Sequence, residues 1–142
     1  MILYHYTNNV NKIKKEGINR YYKSNSTDII NDCILKVKEE LPIDRDYCIY
    51  LSFDKRNDGN YICEIDINDL NIDNLYVANE HFADIIYDSY MTGKDYGKYI
   101  EDYCNSVVPF NEYLNKEVKY EKAEVIYLGE VSTDAITRYS NV

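Results

Sequence analysis

A chain of 142 residues is the length of one domain, able to bury one sizeable core but not two. A composition of 45% hydrophobic and 29% charged residues excludes a disordered or fibrous protein, and no segment approaches the roughly 20 apolar residues that span a bilayer. Sixteen basic against twenty-five acidic side chains leave a net charge of −9, which disfavours nonspecific binding to nucleic acid or anionic membrane unless cations gather in a local groove, for which Arg20, Arg45 and Arg56 are the candidates.

The opening residues alternate, Ile2 and Tyr4 against Leu3 and His5, and predict a strand. Thr7 or Asn8 then caps a helix that turns Val10 and Ile13 to the core and stops at Gly17. The apolar start is too short for a signal peptide, so a cytoplasmic protein is expected. Residues 26–40 form the next periodic segment, capped by Ser26 or Thr27, with Ile29, Ile30, Cys33, Ile34 and Val37 at helical spacing and Pro42 closing it. Tyr47 to Phe53 is rich in β-formers. The turn chemistry of K-R-N-D-G-N at 55–60 joins it to a second alternating run, Tyr61, Cys63, Ile65 and Ile67, so a β-hairpin is expected.

A short strand over Leu75 to Val77 precedes a helix marked by Phe82, Ile85, Ile86 and Tyr90, which stops near Thr92-Gly93. Glu80 and His81 at its start read as capping or surface residues. A further helix carries Tyr96, Tyr99, Ile100, Tyr103 and Cys104 on one face, and a short turn follows Pro109. Val118 to Leu128 and Ala135 to Tyr139 read as strands. The pattern predicts an α+β domain with a split, mainly antiparallel sheet and flanking helices. Cys33, Cys48, Cys63 and Cys104 lack metal-ligand spacing and read as buried thiols. The seventeen tyrosines, with abundant Asn, Ile and Lys, match the usage of an AT-rich genome and do not by themselves mark a binding surface.

Three segments carry the candidate chemistry. The start L-Y-H-Y-T-N-N-V-N-K-I-K-K-E-G-I, the strand C-I-Y-L-S-F-D and the strand Y-E-K-A-E-V-I-Y-L-G-E-V follow one another in an order that resembles ADP-ribosyltransferases of the diphtheria-toxin and poly-ADP-ribose-polymerase type. In that family a histidine on the first strand, a tyrosine on the second and a glutamate on a late strand form the working set. The matching positions here are His5, Tyr50 and Glu124.

The resemblance implies a single ADP-ribosyltransferase-like domain with helical insertions at about 26–40 and 80–107, NAD as co-substrate and no metal. It implies that Glu124 stabilises the oxocarbenium-like ribose formed as nicotinamide leaves, that Tyr50 stacks on nicotinamide, and that His5 bonds the adenosine ribose. Tyr6, Thr7 and Ser52 complete the implied cofactor contacts. Tyr6 stands where the family often has glycine. Lys122 stands two residues before Glu124, where arginine-modifying members carry an acid or amide, so arginine is not the implied acceptor. The string K-A-E-V-I and the opening Y-H-Y-T-N also resemble the DarT-like toxins that modify DNA. A macromolecular acceptor is expected, protein in preference to nucleic acid, in an effector such as a toxin or a phage-borne protein. The alternative is a non-catalytic binding protein on the same fold, acting through its acidic, tyrosine-rich surface.

Overall fold

Alternation along the first strand decides which residues meet the core and which meet solvent. In the computed structural model, which describes residues 1–22, 24–56 and 60–142, β1 (Ile2–Thr7) pairs antiparallel with β4 (Tyr61–Asp66), setting Leu3 opposite Ile65 and His5 opposite Cys63. β4 pairs in turn with β8 (Ile136–Asn141), completing a three-stranded sheet. A second antiparallel sheet runs in the order β2 (Tyr21–Tyr22), β3 (Tyr47–Leu51), β7 (Ala123–Tyr127), β5 (Leu75–Asn79) and β6 (Val108–Pro109). The two sheets join where Tyr4 and Ser52 exchange both backbone hydrogen bonds at 2.9 Å. The α+β class with a split antiparallel sheet is the one expected.

The five-stranded sheet has two unlike faces, each packed. Ile49, Leu51, Val77 and Val125 face the first sheet and pack with Leu3, Cys63 and Ile65, with Ile13 from α1 (Val10–Glu16) and with Phe110 and Tyr113 from α5 (Phe110–Leu114). Cys48, Ala78 and Ile126 face a helical layer of α2 (Asn25–Val37), α3 (Glu80–Met91) and α4 (Gly97–Ser106). That layer contributes Ile30, Cys33, Ile34, Ala83, Ile86, Ile100 and Tyr103, so the single core expected of this length is divided in two by the sheet. Among the described residues no helix is long and apolar enough to cross a membrane. The four cysteines are free thiols; Cys33, Cys48 and Cys63 are buried and Cys104 half-buried.

Three local expectations are corrected. The hairpin joining 47–53 to 61–67 does not form: β3 lies between β2 and β7, whereas β4 lies between β1 and β8 in the other sheet. Alternation specifies a strand's face but not its partner, and here pairing across long sequence separations wins. The expected turn at 55–60 lies partly outside the described residues. The strand expected from Val118 begins only at Ala123, because Val118 is exposed and Tyr120 instead packs on Tyr113 and donates its hydroxyl to the Ser106 carbonyl. The cap of α2 is Ser24, whose Oγ accepts from the Thr27 N–H; Ser26 and Thr27 lie within the first turn, and the helix ends at Val37, ahead of Pro42.

Gly17 ends α1 as expected, with φ +77° and ψ −165°, a region essentially confined to glycine. A Cβ there would stand 2.3 Å from the Val131 carbonyl oxygen, beside the backbone bridge between Ile18 and Val131. Gly17→Ala is expected to lower unfolding free energy by about 1–3 kcal/mol. Urea denaturation reads this directly, and an unchanged midpoint would show that the junction yields without strain.

Candidate functional site

The split between the sheets creates a cleft. Past the Tyr4–Ser52 bridge β1 and β3 diverge, and a cavity of about 330 Å³ opens between them, bounded by the helical layer. His5 and Tyr6 line it from β1, Tyr50 and Ser52 from the end of β3, and Glu124 from β7. Thr27 and Ile30 of α2 and Ala83, Asp84 and Tyr87 of α3 form the opposite wall. Of the residues singled out in the sequence, His5, Tyr6, Tyr50, Ser52 and Glu124 come together here. Thr7 does not: it lines a neighbouring cavity of about 410 Å³, which shares His5 and Tyr6 and continues past Asn9 and Lys12 to Arg20.

His5 is buried because it shares the inner face of β1 with Leu3. Its Nδ1 lies 3.0 Å from the Tyr50 carbonyl, so the ring spans the split. A carbonyl only accepts, so Nδ1 carries the proton, and in the neutral ring Nε2 is an acceptor. Burial pushes the imidazole below its ordinary 6.5, only partly opposed by the bond to Tyr50. The unfolded chain therefore takes up the proton first. Stability from this residue is complete above pH 6.5 and is lost as pH falls from there toward the lowered folded value. His5→Asn, whose amide can replace the Nδ1 donor, is expected to lose less stability between pH 7.5 and 5.5 than the parent protein. Equal losses in paired urea titrations would assign the acid sensitivity elsewhere.

Glu124 is on the helix-facing side of its sheet, opposite Ala78 and next to Val125, and is only 7% exposed. Its Oε1 accepts from the Tyr103 hydroxyl at 2.5 Å and from Arg45 Nη1 at 3.2 Å. Arg45 also donates Nη1 to the Tyr103 hydroxyl and Nε to Asn31 Oδ1 at 2.9 Å, and it is 2% exposed. Burial raises the Glu124 carboxyl above its ordinary value, against the opposing pull of the Arg45 charge and the Tyr103 hydrogen bond. Burial likewise raises the Tyr103 phenol well above the usual range, keeping it a donor. Burial works against the Arg45 charge, but Tyr103 and Glu124 around it outweigh that cost and keep it cationic. Oε2 of Glu124 accepts from none of the described residues.

Tyr50 is half-buried, lines the cavity, donates its hydroxyl to the Arg45 carbonyl at 3.1 Å, and has the Arg45 guanidinium over its ring at 5.9 Å from the centroid. Tyr6 is held by a bond from its hydroxyl to the Asp54 carbonyl at 3.1 Å, and Ser52 Oγ bonds the same carbonyl. At the mouth, Arg56 Nη1 meets Glu80 at 3.1 Å and Lys122 meets Asp84 at 2.8 Å. The three arginines proposed as a basic groove are brought close, Arg45 and Arg56 in one cavity and Arg20 in the next, but each is paired with a carboxylate, Arg20 with Asp44 at 2.6 Å. They do not form a bare cationic surface. Among the described residues no group of three His, Cys, Asp or Glu is placed to hold a metal ion.

Sequence reasoning missed Arg45 as the partner of Glu124, Tyr103 as a polar member of the site and Glu80 as part of its mouth. Tyr103 falls on an apolar helical stripe and reads as core, which it also is. Its phenol marks it only after the glutamate opposite is known. Comparison of the chain with protein-family models, with curated proteins and with solved structures returned no match.

Proposed function

We propose that the protein is an NAD-dependent mono-ADP-ribosyltransferase acting on a macromolecule in the cytoplasm. The observation that carries this reading is the meeting of His5, Tyr50 and Glu124, from β1, β3 and β7, on one cleft at the split between two antiparallel sheets. Two neighbouring cavities that share His5 and Tyr6 in their walls offer separate places for the two halves of a dinucleotide. Nε2 of a neutral His5 suits a ribose hydroxyl, which donates, better than a phosphate, which does not. The Tyr50 ring offers a flat surface for nicotinamide in the cavity that holds Glu124.

Loss of nicotinamide builds positive charge on the ribose. A carboxylate beside it interacts more strongly with that transition state than with ground-state NAD, which is the requirement for catalysis rather than tight binding. The paired arginines and the net charge of −9 support a protein acceptor over a nucleic acid. The test is nicotinamide release from NAD by the purified protein, with and without cell lysate as acceptor source. Release that needs lysate supports a transferase, release without it a glycohydrolase, and no release in either sinks the enzymatic reading. The second reading, a non-catalytic binding protein, is favoured by one feature: Oε1 of Glu124 is already engaged by Arg45 and Tyr103.

A further inference from the structure

We propose that Tyr103, acting with Arg45, is the positioning residue of Glu124: both donors fall on Oε1, which sets the carboxylate with Oε2 turned to the cleft. The inference rests on the reading of Glu124 as the catalytic carboxylate. Tyr103 is fully buried and does not line the cavity, so it cannot touch a ligand there and acts only through Glu124. Its own position is secured against the strand that pairs with β7. Ser106 Oγ donates to the Tyr103 carbonyl at 2.6 Å and accepts from the Asn79 N–H at 2.9 Å, and Asn79 follows Ala78, the residue opposite Glu124. The phenol and the carboxylate are thus held through one short path of hydrogen bonds. Two charge-assisted donors converging on one oxygen hold that oxygen, and with it the carboxylate plane, more tightly than one donor does.

The charged and titratable groups around Glu124 come from every side of the cavity. Arg45 precedes β3, Cys48 and Tyr50 lie on it, His5 lines the same cavity from β1, Tyr103 is on α4, and Glu80, Asp84 and Tyr87 are on α3, where Arg56 and Lys122 pair with the two carboxylates. From α2 the contribution is neutral Asn31, acting through Arg45. Glu80 and Asp84 make ionisation of Glu124 harder, as does burial, and Tyr103 and Arg45 make it easier. Removing the phenol leaves Arg45 alone against the others.

Tyr103→Phe keeps the ring and deletes the bond. It is expected to lower kcat for nicotinamide release about tenfold with KM for NAD nearly unchanged, and to move the acidic limb of the kcat profile up by about one pH unit. Carboxyl ¹³C NMR of glutamate-labelled protein, with Glu124 assigned from the signal missing in Glu124→Gln, should show that carboxyl titrating at higher pH in Tyr103→Phe. A loss of rate with unmoved pH limb and unmoved titration would make Tyr103 merely structural and overturn the proposal. Should Tyr103→Phe fail to fold, Ser106→Ala, which loosens the seat of Tyr103 without touching Glu124, must move the titration in the same direction, and no movement would overturn the proposal equally. If the parent protein releases no nicotinamide, the titration still decides: a shift supports the role of Tyr103 while the transferase reading falls.

Discussion

Arg45→Met should be the most destabilising single substitution at the cleft, lowering unfolding free energy by about 3–5 kcal/mol. The buried guanidinium serves three acceptors at once, Asn31, the Tyr103 hydroxyl and Glu124. Methionine fills the space, so packing loss is small, but it leaves the Glu124 carboxylate buried with only the phenol as donor. A domain of this size is stable by about 5–15 kcal/mol, so the loss is a large fraction of the whole and should be plain in thermal or urea unfolding. It should also depend on pH. Glu124 titrates above its ordinary 4.5 when folded, so the native state binds the proton more tightly, and stability from this group is highest at low pH. That stability falls as pH rises from the unfolded value through the folded one, and then levels. Without Arg45 the folded value rises further, so the variant should recover part of its stability on mild acidification, where the parent gains less. Adding Glu124→Gln to Arg45→Met should restore stability as well, because the stranded charge is gone. A variant as stable as the parent at neutral pH would show that the pair contributes nothing over an apolar filling.

What could be read ahead of the structure follows the range of the interactions involved. The strands, the helices and the mixed α+β class came from alternation and helical period, which are local, whereas the antiparallel expectation leaned partly on a hairpin that does not form. Gly17 as a helix stop was legible for the same reason, since its positive φ is a property of one residue. Partner choice was not. β3 and β4 look like the arms of a hairpin because turn residues separate them, yet each pairs with strands from elsewhere in the chain, β3 with β7 and β4 with β1 and β8. The site shows the same division. His5 stood out by its strand setting, and Tyr50 and Glu124 only by the resemblance of their segments to a family's motifs, but Arg45 lies in an irregular segment with no periodicity to give it a face, and only the tertiary fold brings it within 3.2 Å of Glu124. The helices at 26–40 and 80–107, expected as insertions, carry the wall of the cleft and the phenol that holds its glutamate.

Glu124→Gln should reduce nicotinamide release from NAD about 10²–10³-fold with little change in KM. Glutamine has the size of the carboxylate and keeps an oxygen for the Tyr103 and Arg45 donors, so the ground-state geometry survives. It lacks the negative charge that strengthens against a cationic ribose, so the loss falls on the transition state. Stability needs its own control, because the amide leaves the Arg45 guanidinium, 2% exposed, without its carboxylate and with only Asn31 and the Tyr103 hydroxyl as acceptors. Glu124→Gln should therefore unfold more easily than the parent, and its activity is to be read well below its own unfolding midpoint. A Glu124→Gln that is folded under the assay conditions and inactive locates the defect in chemistry. Release at the parental rate would remove Glu124 from catalysis and with it the transferase reading. A parent that releases nothing but is stabilised by NAD, by about 2.7 kcal/mol at 100 times the dissociation constant, would instead be a nucleotide-binding protein. In that protein the clamp on Glu124 would hold the cleft in shape, and the acidic residues at its mouth would be the part to test for a partner.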